Sequence, residues 1–94
     1  MQGTRLPDAH ISERGPGWDA WKNGECAPGS YMKVTMPNGV WWYVRDPHGY
    51  IGSIKPELHT VEEHADGTIT VSPSLVMPHG GYHGWLRAGV WSVA

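Results

Sequence analysis

The chain has 94 residues, of which seven are basic and nine acidic, for a formal net charge of −2. That length holds one small domain with no second independent core, and the charge balance excludes the clustered basic surface of an electrostatic nucleic-acid grip. The Lys and Arg residues are never adjacent, which excludes a polybasic membrane patch, and no apolar run approaches the ~20 residues of a membrane span.

Residues 1–29 are broken by Pro7, by Gly15-Pro16-Gly17 and by Pro28-Gly29. The expectation is an irregular arm that docks through Trp18 and Trp21, which share a face at i, i+3 if Trp18–Lys22 forms a helical turn. The arm lacks a hydrophobic signal core, so a cytoplasmic chain is expected. Cys26 has no partner for an internal disulfide and fits a reducing compartment.

From Ser30 the pattern becomes that of a β domain, residues 30–94. Tyr31–Met36 and Val40–Arg45 are rich in β-favouring residues, and Pro37-Asn38-Gly39 between them is a hairpin signal because Asn-Gly adopts positive φ cheaply. Asp46-Pro47-His48-Gly49 predicts a turn into a short strand, Tyr50–Ile54. Leu58–Glu63 and Thr68–Ser72 flank Ala65-Asp66-Gly67 as a second hairpin, with Ser72-Pro73-Ser74 ending it. Tyr82–Leu86 and Val90–Val93 form a third, across Arg87-Ala88-Gly89. No ten-residue window carries a helical apolar period. The expected fold is all-β: a single-domain meander of about six or seven short strands, as a curled sheet or small barrel.

Phe is absent and six Trp take its place. Trp41 and Trp42 are adjacent on a strand and must face opposite sides of the sheet, so one is core and the other needs cover from the arm, a partner subunit or a ligand. A chain this small exposing an indole is expected to self-associate, by default as a cyclic dimer. His79 and His83 have the H-x3-H spacing of structural zinc sites, and with His59, His64 and Cys26 they could in principle fill a tetrahedral site. No C-x-x-C accompanies them, so no metal and no cofactor are expected. Ser72, Ser74 and Ser92 lie in no nucleophile-elbow context, which leaves no catalytic assignment. Gly80, Gly81 and Gly84 allow close backbone approach, and Tyr82, His83, Trp85 and Arg87 supply aromatic area, hydrogen bonds and charge. A binding site made of Tyr82, His83, Trp85 and Arg87, with Trp41 or Trp42 opposite, is the site expectation; Tyr82 and Trp85 plugging the barrel end is the alternative.

The run Asp66–Leu75, followed by Tyr82-His83-Gly84-Trp85-Leu86 and Gly89-Val90-Trp91, resembles a small family of uncharacterised proteins of bacteria and tailed phages. Its phage members carry an HTVxEHxDGTITVSPS hairpin and a WHGxLxxGVW ending. The broader family has a CxCGC segment upstream and a terminal C-x-S-H-x-W-I motif. His83 and Trp85 match the motif's His and Trp, and Leu86 replaces its Ile. Gly80 stands at its Cys and Tyr82 at its Ser, and the upstream cysteines are missing. The resemblance implies a phage-type accessory protein in the host cytoplasm, non-catalytic, acting on a small, nucleotide-like molecule or on a host protein, for instance to oppose a host defence. The alternatives are a minor virion or assembly component, and a metal-stabilised or hydrolytic domain.

Overall fold

The computed structural model describes residues 1–77 and 82–94. The chain runs through β1 (Thr4–Arg5), β2 (Ala9–His10), α1 (Gly15–Lys22), β3 (Ser30–Met36), β4 (Gly39–Arg45) and β5 (Ile51–Ile54), then β6 (Thr60–Glu63), β7 (Ile69–Val76), β8 (His83–Arg87) and β9 (Val90–Val93). The strands form two sheets rather than one curled sheet or a closed barrel. The first follows the order β1-β3-β4-β5, with β2 also on β3; the second follows β6-β7-β8-β9. The all-β class agrees with the expectation, and the nine strands among the described residues exceed the six or seven foreseen.

The three hairpins stand where turn chemistry placed them. Met36 pairs with Gly39 across Pro37-Asn38, and Arg87 pairs with Val90 across Ala88-Gly89. Ala88 and Gly89 have φ of 47° and 76°, the positive values that a two-residue hairpin turn of this hand requires at both positions. The strand β7 departs from expectation. Ser72-Pro73-Ser74 does not end it; pairing with β8 resumes at Leu75 after a register shift between Val71 and Leu75. The irregularity absorbs the proline, which has no N–H to offer the ladder.

Residues 1–29 are not irregular. Gly15-Pro16-Gly17 opens α1 instead of breaking the chain, because a proline in the first helical turn lacks only an N–H that would have no intrahelical acceptor. Trp18 and Trp21 project from one face of α1 and pack on Tyr43 of β4, at ring separations of 5.2 and 4.9 Å. Together with Ala9, Met32 and Val34 they form a small core on the outer face of the first sheet. The main core lies between the two sheets, where Tyr31, Trp42, Val44 and Ile54 meet Ile69, Val71, Leu86 and Trp91.

The first five residues join the sheets along one side. Met1 and Trp91 exchange hydrogen bonds, the Met1 ammonium to the Trp91 carbonyl at 2.9 Å and the Trp91 N–H to the Met1 carbonyl at 2.8 Å. Gly3 N–H donates to Gly89 at 2.7 Å, after which β1 crosses to pair in parallel with β3. The Trp91 indole completes the join by donating to the Gly29 carbonyl at 2.8 Å. On the other side β5 and β6 are the edge strands of their sheets, and among the described residues they do not pair. Backbone hydrogen bonds therefore tie the sheets together where the first residues meet β9, while along β6 and β5 no such bonds join them among the described residues, which leaves a seam there.

Candidate functional site

A cleft of about 420 Å³ occupies the open seam, within the ~300–1,000 Å³ typical of ligand sites. Its first wall is the inner face of the first sheet: Lys33, Val40, Trp42 and Ile54. Alternation along β4 turns Val40, Trp42 and Val44 inward and Trp41 and Tyr43 outward. The second wall is the edge strand β6, whose Val61 and Glu63 point inward, with Pro56 and His59 of the connecting segment at the end.

One end of the cleft is held by charge. Glu63 accepts from Arg5 at 2.7 Å and from Lys33 at 2.9 Å, so one carboxylate links β6 to β1 and β3 of the opposite sheet. Those two hydrogen bonds, from Lys33 first and then Arg5, hold the Glu63 carboxyl below the usual carboxylate range. Arg5 also bonds Asp8 at 2.9 Å and the Gly67 carbonyl at 3.0 Å, and its guanidinium stands 5.1 Å from the Trp42 ring centroid. Burial works against the Arg5 charge, but the hydrogen bonds it donates to Glu63 and Asp8 outweigh it and raise its pKa.

His59 closes the other end. Its Nε2 lies 3.3 Å from the Ser74 carbonyl, an acceptor only, so Nε2 carries the proton in that bond and Nδ1 is left as an acceptor. Nδ1 is buried and has no partner among the described residues. A second hollow of about 320 Å³, lined in part by Leu58, Leu75 and Met77, continues beyond His59.

The backbone of β6 gives the seam a further property. The His64 N–H donates to Thr68 at 2.8 Å, across the hairpin. Pairs two and four residues further along the ladder, Glu62/Thr70 and Thr60/Ser72, therefore exchange hydrogen bonds as well. Val61 and Glu63 turn their N–H and C=O groups away from β7, to the open side. The Asp46 N–H to Tyr50 bond, 2.8 Å, sets the same phase on β5 and leaves Ile51 and Ser53 facing outward from their ladder.

The six residues expected to share a site lie on three surfaces. Trp42 is buried between the sheets and lines the cleft. Trp41 is half-buried on the outer face of the first sheet, 6.5 Å from Tyr43 and with the Lys55 ammonium 5.8 Å from its ring. Tyr82 is a core residue, edge-on to Trp91 and to His48 at 5.5 Å each. His83, Trp85 and Arg87 share the outer face of the second sheet, where the Arg87 guanidinium stacks 4.7 Å over Trp85. Gly84 serves packing: a Cβ there would stand 2.1 Å from the Ser92 carbonyl oxygen and 2.6 Å from the Tyr82 ring. His79, Gly80 and Gly81 lie outside the described residues.

Among the described residues no three His, Cys, Asp or Glu side chains assemble as a metal site. His64 bonds the Thr70 hydroxyl at 2.7 Å on the outer face. A Ser–His contact does occur at Ser12 and His10, 2.7 Å apart, but both are surface residues of one turn.

Lys33, Val61 and Glu63 were not foreseen as site residues. A signal existed: period-two alternation in Thr60-Val61-Glu62-Glu63 puts Val61 and Glu63 on one face, and an inward carboxylate on a short strand is a known guard of sheet edges. No helix of the described residues is long and apolar enough to cross a membrane. No family model, curated protein or solved structure matches this chain.

Proposed function

We propose that this chain is a non-catalytic binding module that takes its ligand in the cleft at the β5/β6 seam. The observation that carries the reading is the juxtaposition there of an inter-sheet cleft of about 420 Å³ with the edge strand β6, whose outer edge is unpaired among the described residues. Its walls combine apolar area from Val40, Trp42, Ile54 and Val61 with a few fixed polar groups, the mixture that gives both affinity and orientation. Lys33, the ammonium on the cleft wall, is already engaged by Glu63, so a phosphate would compete with a carboxylate for it. That favours a largely apolar or peptide-like ligand over a nucleotide. In the setting implied by the terminal motif, such a module acts by occupying a host protein rather than by turnover.

Indole at millimolar concentration, followed by amide and side-chain NMR, tests the reading. The expected result is a set of shifts on Trp42, Ile54, Val61 and Glu63 that disappears in Val61→Trp, which fills the cleft. Shifts confined to His83, Trp85 and Arg87 would move the site to the outer face of the second sheet.

A further inference from the structure

We infer that the seam takes one extended peptide strand of alternating apolar and basic residues, added to the free edge of β6. This rests on the cleft being the binding site and names its occupant. The backbone argument comes first. Val61 and Glu63 present their N–H and C=O groups to the open side, and an incoming strand satisfies them with the same ladder geometry that β7 uses on the other edge.

Side-chain direction favours the same edge independently. Residues of an added strand that lie beside Val61 and Glu63 point the way those two point, into the cleft, because neighbouring strands share the pleat. There they meet Val40, Trp42 and Ile54. The free groups of β5 do not offer this. Ile51 and Ser53 turn their side chains to the outer face, so a strand added there would leave the cleft empty.

Charge selects the partner. The alternate positions of the new strand lie beside Thr60 and Glu62 on the outer face, where Glu62 is exposed and makes no salt bridge among the described residues. Glu57 precedes the strand and Asp66 follows it, both exposed. A lysine or arginine opposite Glu62 is favoured, and an acidic residue is opposed. The same glutamates disfavour a second copy of the chain as occupant. Antiparallel pairing of β6 with itself about Glu62 sets Glu62 against Glu62 and Val61 against Glu63, a like-charge contact at the centre of the interface.

The test uses a short blocked peptide alternating lysine and valine, its glutamate–valine counterpart, and the lysine–valine peptide N-methylated at alternate amides on the edge that would pair. Binding is followed by calorimetry and by amide NMR of the full chain. The lysine–valine peptide should bind and shift the Val61 and Glu63 amides, and N-methylation should weaken it by about ten- to a hundredfold, the loss of two or so backbone hydrogen bonds. Glu62→Lys should weaken it by about two- to fivefold and strengthen the acidic peptide. If indole shifts the cleft but the peptide does not bind, or binds equally well when N-methylated, the strand inference fails and the cleft reading survives. If neither probe touches the cleft, both fail. Dimerisation through β6 at micromolar concentration would overturn the choice of partner.

Discussion

The two sides of the sandwich use the same material, strand edges flanking a tryptophan, and treat it in opposite ways. On the β1/β9 side Trp91 is fully buried, its indole N–H is bonded to Gly29, and the first residues of the chain cross from one sheet to the other over it. Along the β5/β6 seam Trp42 is also buried, yet among the described residues the edges of β5 and β6 are unpaired and a cleft reaches its ring. What ties β6 to the first sheet is a charge network from Glu63 to Arg5 of β1 and Lys33 of β3, between partly exposed groups. Backbone pairing around a buried indole is a permanent join, whereas exposed ion pairs contribute little to stability and are easily exchanged. The first join is made by backbone and the second by side-chain ion pairs.

The largest expected effect is at Trp91. Trp91→Ala removes a fully buried indole and its hydrogen bond, and should cost about 3–5 kcal/mol, enough to unfold a domain of this size. Trp85→Ala, on the half-exposed outer face, should cost well under half of that. Chemical denaturation compares the two, and equal losses would erase the distinction between core and face. The join itself is tested at Gly3, where a Cβ would stand 2.7 Å from the Gly29 carbonyl oxygen and 2.9 Å from that of Gly89. Both obstacles are backbone, so Gly3→Val should cost about 1–3 kcal/mol. A neutral result would mean that the N-terminal strand does not hold the sheets together.

Smaller effects are expected at the seam. Glu63→Gln breaks both ion pairs across it and should cost about 0.5–1 kcal/mol, since the partners are partly exposed. The pH dependence has a definite sign. A carboxyl whose folded pKa lies below its unfolded value contributes stability that is fully present above about pH 4.3 and lost as the pH falls through the folded value. The thermal midpoint of the parent chain should therefore drop more steeply below that pH than that of Glu63→Gln, and parallel curves would remove Glu63 from the seam's electrostatics. The smallest change is at Glu62→Lys, which should alter stability by no more than about 0.5 kcal/mol while changing peptide preference. A large loss of stability there would make Glu62 structural.

The hairpins were legible because their determinants are local. Pro37-Asn38, Asp66-Gly67 and Ala88-Gly89 each lie in a turn, and the flanking residues alternate. Trp41 and Trp42 could be assigned to opposite faces by adjacency alone, and Trp18 with Trp21 to one helical face. The start of α1 at Gly15-Pro16 and the continuation of β7 past Pro73 were missed because proline has two meanings, a break inside an element and a normal residue at a helix start or strand irregularity. The seam was not legible. It exists because Gln2 bridges to Val90 and β1 pairs with β3, contacts between distant parts of the chain that leave no periodicity in the sequence. The dense aromatic ending carries the stronger local signal, yet Tyr82 is core and His83, Trp85 and Arg87 lie on an outer face.

The most direct test of the seam is amide hydrogen exchange, residue by residue, in the free chain and with the lysine–valine peptide. In the free chain Glu62 N–H, bonded to β7, should exchange far more slowly than Val61 and Glu63 N–H, which face the open side. With peptide, Val61 and Glu63 should become protected while the β1/β9 amides, already slow, stay unchanged. Protection of Val61 and Glu63 in the free chain, or no change on adding peptide at a concentration that saturates binding, would contradict the account.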